Sequence, residues 1–147
     1  MKNRKKLNGL LEIPQVKSWR AIMHAYTQIY RYLESELLKE NCSIPRFQIF
    51  FYLYFEGPLP SIELAQRLNV TRGNISTFIR RLEEDELILI NQANGRGGRQ
   101  LVELSSKGLK QFENFFPDHI KRVKSVMPTI SQKTLNDLLS IKIDRNS

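Results

Sequence analysis

Residues 63–88 read ELAQRLNVTRGNISTFIRRLEEDELI, and the spacing of their apolar side chains decides the fold. Leu64, Ala65 and Leu68 share one face of a short helix over about 61–68, with Ser61 its expected cap. Asn69-Val70 interrupts the pattern. Thr71 then caps a second helix over about 72–85, whose inner face carries Ile75, Phe78, Ile79 and Leu82. Two short helices joined by so tight a turn must cross steeply, and they need a small residue where they touch. Ala65 supplies it, and Leu64, Leu68, Val70, Ile75 and Phe78 supply the apolar surround. The stretch predicts a helix-turn-helix.

The second helix carries its charges in reverse. Arg72, Arg80 and Arg81 come first, and Glu83, Glu84, Asp85 and Glu86 crowd the end, whereas the helix dipole favours acids first and cations last. At about 100° per residue, burying Ile75, Ile79 and Leu82 turns Arg72, Gly73, Ser76, Thr77 and Arg80 outward, with Asn74 and Arg81 at the margins. This outward face holds no acid and no large apolar residue. Arginine can read guanine through O6 and N7, asparagine can read adenine, hydroxyls suit phosphates or base edges, and glycine permits close approach. A duplex in front of the face explains the order: arginines stand where phosphates would lie, and the acids fall past its edge. Thr71, at the helix entrance, completes this set of candidate DNA contacts.

Downstream, Leu87–Gln92 and Gln100–Leu104 read as two short strands, with Asn94-Gly95 a strong turn signal between them. Arg96 and Arg99 among Gly95, Gly97 and Gly98 make residues 93–99 a thin basic loop suited to a minor groove. Ser105 or Ser106 starts a helix with Leu109, Phe112, Phe116, Ile120 and Val123 on one face. Pro117 is expected to kink or break it, and Pro128 ends it. Ser131 caps a last short helix bearing Leu135, Leu138 and Leu139.

Upstream, Lys2, Arg4, Lys5 and Lys6 mark residues 1–13 as a mobile basic arm. Trp19, Met23, Tyr26, Tyr30, Leu33 and Leu37 recur at helical spacing over about 15–40. Ser43 caps IPRFQIFFYLYFEG, which is apolar almost all round and should be buried; Cys42 and Phe47 occupy its staple positions, and Gly57-Pro58 ends it. The fold class is therefore mainly α with a small two-stranded β-wing: a winged helix-turn-helix with long terminal helices. Residues 1–147 form a single domain, with a DNA-binding lobe at about 43–105 and a helical lobe at about 14–40 and 106–143. An apolar helix at each end, with no partner inside a winged helix, calls for a second copy of the chain.

Composition sets the outer limits. The chain has 147 residues, 41% hydrophobic and 26% charged, as an ordinary globular protein does. Lys+Arg 23 against Asp+Glu 15 leaves a net charge of +8, which suits a polyanion, either nucleic acid or an anionic membrane surface. No stretch approaches the roughly 18 apolar residues of a membrane span, and the N-terminus lacks the apolar run of a signal peptide. A lone cysteine, Cys42, rules out an internal disulfide and fits a reducing cytoplasm, in which the chain is expected to lie on the nucleoid. His24 and His119 lack an i, i+4 His or Cys partner, so neither a metal nor another cofactor is expected. No nucleophile triad, carboxylate pair or phosphate loop stands out, so the chain is read as no enzyme.

These residues resemble the MarR (multiple antibiotic resistance regulator) family of bacterial and archaeal winged-helix transcription factors, from about Ser43 to Lys142. ELAQRLNVTRGNISTFIRRLEEDELI follows the family's pattern without a gap, VELSSKG is similar to its "v.LT.kG", and ISQKTLNDLLSI to its closing helix. Two positions depart from it. Glu86 stands where the family usually has glycine, and GRGGRQ lacks the wing's usual Asp-x-Arg, leaving the family arginine's role to Arg96 or Arg99.

The resemblance implies a homodimer, most often a repressor, in which each winged helix reads half of a pseudo-palindromic operator in double-stranded DNA. Helix 72–85 would enter the major groove and wing 93–99 the minor groove. It also implies a small, often aromatic effector between the lobes, for which Trp19, Met23, Tyr26, Tyr30, Phe47, Phe51 and Phe112 are the candidate lining. An aromatic stripe at this spacing is also how a helix builds core. Cys42, in its staple position, reads as packing rather than as a peroxide sensor. The competing function is a winged-helix module that grips an acidic protein through the same basic face.

Overall fold

The computed structural model describes residues 2–92 and 99–142. The order is α1 (Lys2–Leu10), α2 (Pro14–Leu38), α3 (Ile44–Glu56), β1 (Leu59–Pro60), α4 (Ser61–Leu68), α5 (Arg72–Glu84), β2 (Ile88–Gln92), β3 (Gln100–Leu104), α6 (Ser106–Val126) and α7 (Gln132–Leu139). Four helices begin at a hydroxyl. Ser43, Thr71, Ser105 and Ser131 accept the N–H of Arg46, Asn74, Gly108 and Thr134 at 3.4, 3.2, 3.0 and 3.1 Å. Each such cap contributes about 1 kcal/mol.

Ser61 is not a cap. The position before α4 belongs to Pro60, whose backbone is already extended in β1, and no side chain caps that helix. β1 is also a third strand that the alternation pattern did not reveal. Two residues, one of them proline, carry no periodicity, yet Leu59 and Pro60 pair antiparallel with Val102 and Leu101. The sheet order is β1-β3-β2, so Pro60 lies on an edge strand, where a missing N–H is tolerated.

One core joins these elements. Leu37 of α2 meets Ile49, Phe50 and Leu53 of α3, Leu64 and Ala65 of α4, Ile75 and Leu82 of α5, Ile88 and Val102 of the sheet, and Phe112 and Phe115 of α6. At one contact the backbones themselves touch. A Cβ on Gly108 would collide with the carbonyl oxygen of Leu87, so only glycine lets α6 cross the strand at that point.

Four further expectations change. Residues 2–10 form a helix rather than a mobile arm. α3 is buried only on one side, because the other side presents Phe51, Tyr54 and Phe55 to solvent within one chain. α6 runs unbroken through Pro117; Phe112 before the proline and Phe115, Phe116 and His119 around it all pack with Phe47, holding both halves in line. The buried face of α6 is Gly108, Phe112, Phe115 and His119, whereas Leu109 and Ile120 from the expected stripe are exposed. Among the described residues, no helix is long and apolar enough to cross a membrane.

Candidate nucleic-acid interface

The turn between α4 and α5 is made by Asn69 in the left-handed conformation, φ 56°. Its N–H and that of Val70 close onto Gln66 O at 3.1 Å and Ala65 O at 3.0 Å. Asparagine tolerates this geometry better than most residues. Past the turn, Ile75, Ile79 and Leu82 are buried. Arg72, Gly73, Asn74, Ser76, Arg80 and Arg81 are exposed, and Thr77 is half-buried.

The hydroxyls on this face are oriented. Ser76 Oγ donates to Arg72 O at 2.8 Å and Thr77 Oγ1 donates to Gly73 O at 3.1 Å, so both turn lone pairs outward. Gly73 has no packing reason to be glycine, since the nearest atom to an added Cβ is Thr71 Oγ1 at 3.9 Å. Arg80 lies 3.8 Å from Glu84, a solvated pair worth little.

Two hollows extend the face beyond α5. One of about 390 Å³ is lined by Arg72, Ile75 and Ser76, by Arg99 at the wing's base, and by Ser61 and Ile62 of α4. A neighbouring hollow of about 220 Å³ takes in Ser61, Ser76, Arg80 and Gln100. Ser61 and Gln100 therefore join the face, and sequence reasoning missed both. Ser61 opens α4, whose first turn has no side-chain cap. Arg96 and the wing tip, 93–98, lie outside the described residues. Arg81 turns to the opposite flank, where it lines a third hollow with Arg46.

The reversed charge order has a second cause. Asp85 forms an ion pair with Arg46 of α3, its carbonyl accepts Lys107 Nζ at 2.8 Å, and Lys107 lies 3.6 Å from the Glu86 carboxylate. Two of the four acids thus tie the end of α5 to its neighbours. Glu86 itself adopts φ 60°. The helix therefore ends in the left-handed turn that glycine would favour, with Ser105 Oγ donating to Glu86 O at 2.7 Å.

Of the proposed effector lining, Phe47, Phe51 and Phe112 meet in one aromatic cluster with Phe115 and Phe116. Tyr26 and Tyr30 pair with each other at 5.5 Å on α2, and Trp19, Met23 and Tyr26 are exposed. Sequence reasoning did not place two polar groups beside that cluster. The His119 ring lies tilted against Phe47 with centroids 4.2 Å apart; burial, then the Arg122 charge, depress its pKa, while Glu40 opposes them. Arg122 binds Glu40 at 2.6 Å, which raises its own pKa. His119 Nδ1 and Arg122 Nη1 are buried without a hydrogen-bond partner among the described residues. Burial pushes the Cys42 thiol up to about 12, the opposite of a reactive thiolate. No group of three or more His, Cys, Asp or Glu able to hold a metal occurs among the described residues.

Residues 42–92 match the model of the MarR family. The HTH-type transcriptional regulator MhqR of Bacillus subtilis is 23% identical over 119 residues, 80% of this chain and 81% of that one. Among solved structures, the MarR family transcriptional regulator AbsC of Streptomyces coelicolor superposes with a TM-score of 0.74 at 18% identity, covering 82% of this chain and 84% of that one. Bordetella bronchiseptica BpsR, solved in a study of how 6-hydroxynicotinic acid regulates its DNA binding, has a TM-score of 0.70 at 13% identity, covering 84% and 93%.

Proposed function

We propose that the chain is a DNA-binding transcription regulator of the MarR family, whose model its residues 42–92 match, and that it acts as a homodimeric repressor on a pseudo-palindromic operator. The observation that carries this reading is one continuous exposed face: Arg72, Gly73, Ser76 and Arg80 on α5, joined through shared hollows to Ser61, Arg99 and Gln100. α5 enters the major groove, where Arg72 and Arg80 contact guanine edges or phosphates, and Ser61 with the open end of α4 takes a backbone phosphate. Thr71, Asn74 and Thr77 border this contact, and the wing, 93–99, follows the adjacent minor groove. With two-fold symmetry, half-site centres fall about 34 Å apart.

Residues 43–105 serve as the reading lobe; 14–40 and 106–143 pair with the partner copy. Exposed Leu135, Leu138 and Leu139 on α7 and Trp19 and Met23 on α2 support that pairing. The same reading places the protein in the cytoplasm, on the nucleoid. A small aromatic effector, of the kind named for BpsR, is proposed to bind beside Phe47, Phe51 and Phe112, with Trp19, Met23, Tyr26 and Tyr30 along α2. The unpartnered His119 Nδ1 and Arg122 Nη1 are suited to its polar end.

Selection of genomic fragments at about 0.15 M salt tests the reading. Enriched fragments should share an inverted repeat, and log affinity should fall with log salt at about 0.9 per phosphate contacted. Fragments no better bound than random DNA would leave the competing module, gripping an acidic protein, in its place.

A further inference from the structure

The middle of α5 carries two hydroxyls whose protons are already committed. Ser76 Oγ lies 2.8 Å from Arg72 O, and Thr77 Oγ1 lies 3.1 Å from Gly73 O. A carbonyl oxygen only accepts, so in both pairs the hydroxyl donates. What Ser76 has left to offer is lone pairs. It is exposed, stands four residues from Arg72 and four from Arg80, and borders both hollows of the reading face. Arginine is the reverse case, a side chain that donates and never accepts. Along residues 72, 76 and 80 the face therefore runs donor, acceptor, donor.

An acceptor cannot pair with a phosphate oxygen, with guanine O6 or N7, or with thymine O4. In the major groove its partners are the exocyclic amines, adenine N6 and cytosine N4. Serine is short, so its oxygen reaches a base edge only where the helix backbone comes close to the groove floor. Gly73, three residues before Ser76 and on the same side of the helix, meets that need. The nearest atom to a Cβ there would be Thr71 Oγ1 at 3.9 Å, so packing does not call for glycine, and no side chain at that position holds the duplex off.

We propose that Ser76 is a specificity-determining residue that selects an amino base, adenine or cytosine, over a keto base, guanine or thymine, on the strand it faces. The inference rests on the reading of α5 as the major-groove helix and adds which base chemistry the centre of that helix takes. Opposite a keto base two acceptors confront each other with no proton between them. Ser76 could supply one only by giving up its bond to Arg72 O.

The test uses the operator obtained by genomic selection, resynthesised with each position changed in both half-sites to all four bases. Affinities are measured for the full chain and for Ser76→Ala. One position should bind adenine and cytosine within about twofold of each other, and guanine and thymine about tenfold more weakly. In Ser76→Ala the four bases should bind alike at that position, with preferences elsewhere unchanged. N6-methyladenine placed there carries its methyl where the groove-facing N–H was; it should weaken the parent as guanine does and leave Ser76→Ala unaffected. Ser76 is exposed and alanine suits a helix, so the variant should keep the parent's melting temperature. No position relaxed in Ser76→Ala, a keto base preferred at the position that does relax, or an equal loss on every sequence, the mark of a phosphate contact, would overturn the proposal. Each of these outcomes, seen with an operator still bound above random DNA, leaves the regulator reading standing. No sequence bound better than random DNA sinks both.

Discussion

Phe50 and Leu139 mark the two ends of one scale: the first has no accessible surface, the second is 71% exposed. Around Phe50, helices α3 to α5 and the sheet enclose a core from which water is excluded. Around Leu139, and along α1 and the first half of α2, apolar side chains of the same type face solvent within one chain. The difference lies in partners rather than in composition. The lobe around Phe50 is completed by its own chain, and on the proposed dimer the flanking helices are completed by another copy.

Breaking the flanking contacts should have the largest effect on function. Leu135→Asp with Leu138→Asp is expected to give a monomer by sedimentation, and operator affinity should fall about 10²–10⁴-fold as two linked contacts become one. A variant that stays dimeric with unchanged affinity would mean that α7 is not the seam. Within the reading lobe, Phe50→Ala should cost about 3–5 kcal/mol in urea unfolding, whereas Leu139→Ala in that monomer should stay within about 0.5 kcal/mol. Equal costs would erase the distinction between the two regions.

Two glycines sharpen the contrast. Gly108→Ala forces a Cβ into the Leu87 carbonyl and should destabilise by about 1–3 kcal/mol or more. Gly73→Ala meets open space and should stabilise α5 by up to about 1 kcal/mol while weakening DNA binding, because the added methyl group stands off the duplex. A rise in melting temperature together with a loss of affinity would separate a surface kept for a ligand from one kept for the fold.

The smallest expected effect is on pH dependence, at the border between the regions. The folded chain depresses the His119 pKa, so the unfolded chain takes up a proton more readily. Stability from the neutral ring is complete above the ordinary value of about 6.5 and is lost as pH falls from there through the folded pKa. Urea titrations at pH 7.5 and 5.5 should show that loss, and His119→Gln should reduce it.

The helix-turn-helix was legible in the sequence because its signals are local: a period of three to four, one small residue at the crossing, and a hydroxyl, Thr71, capping the second helix. β1 was hidden because two residues have no period; its partner, Leu101-Val102, is some forty positions away. The stripe on α6 was misread by about one residue, since Leu109, Phe112, Phe116 and Ile120 are as well spaced as Gly108, Phe112, Phe115 and His119. Only the neighbouring helix decides which set it covers. On α5, spacing placed Arg72, Ser76 and Arg80 on one face. It could not show that Arg81 turns toward Arg46, or that the terminal acids are tied to α3 and α6.

Those ties include Glu86. A side-chain-bearing residue held at φ 60° costs on the order of 1 kcal/mol that glycine would not. Here the corner between α5 and β2 is steadied by Lys107 and Ser105 instead. Two contacts brace this corner: ionic strength weakens the Lys107–Glu86 pair, and replacing Ser105 removes the hydrogen bond. A glycine at this joint would lose the first brace and keep the second, since Ser105 binds the backbone carbonyl.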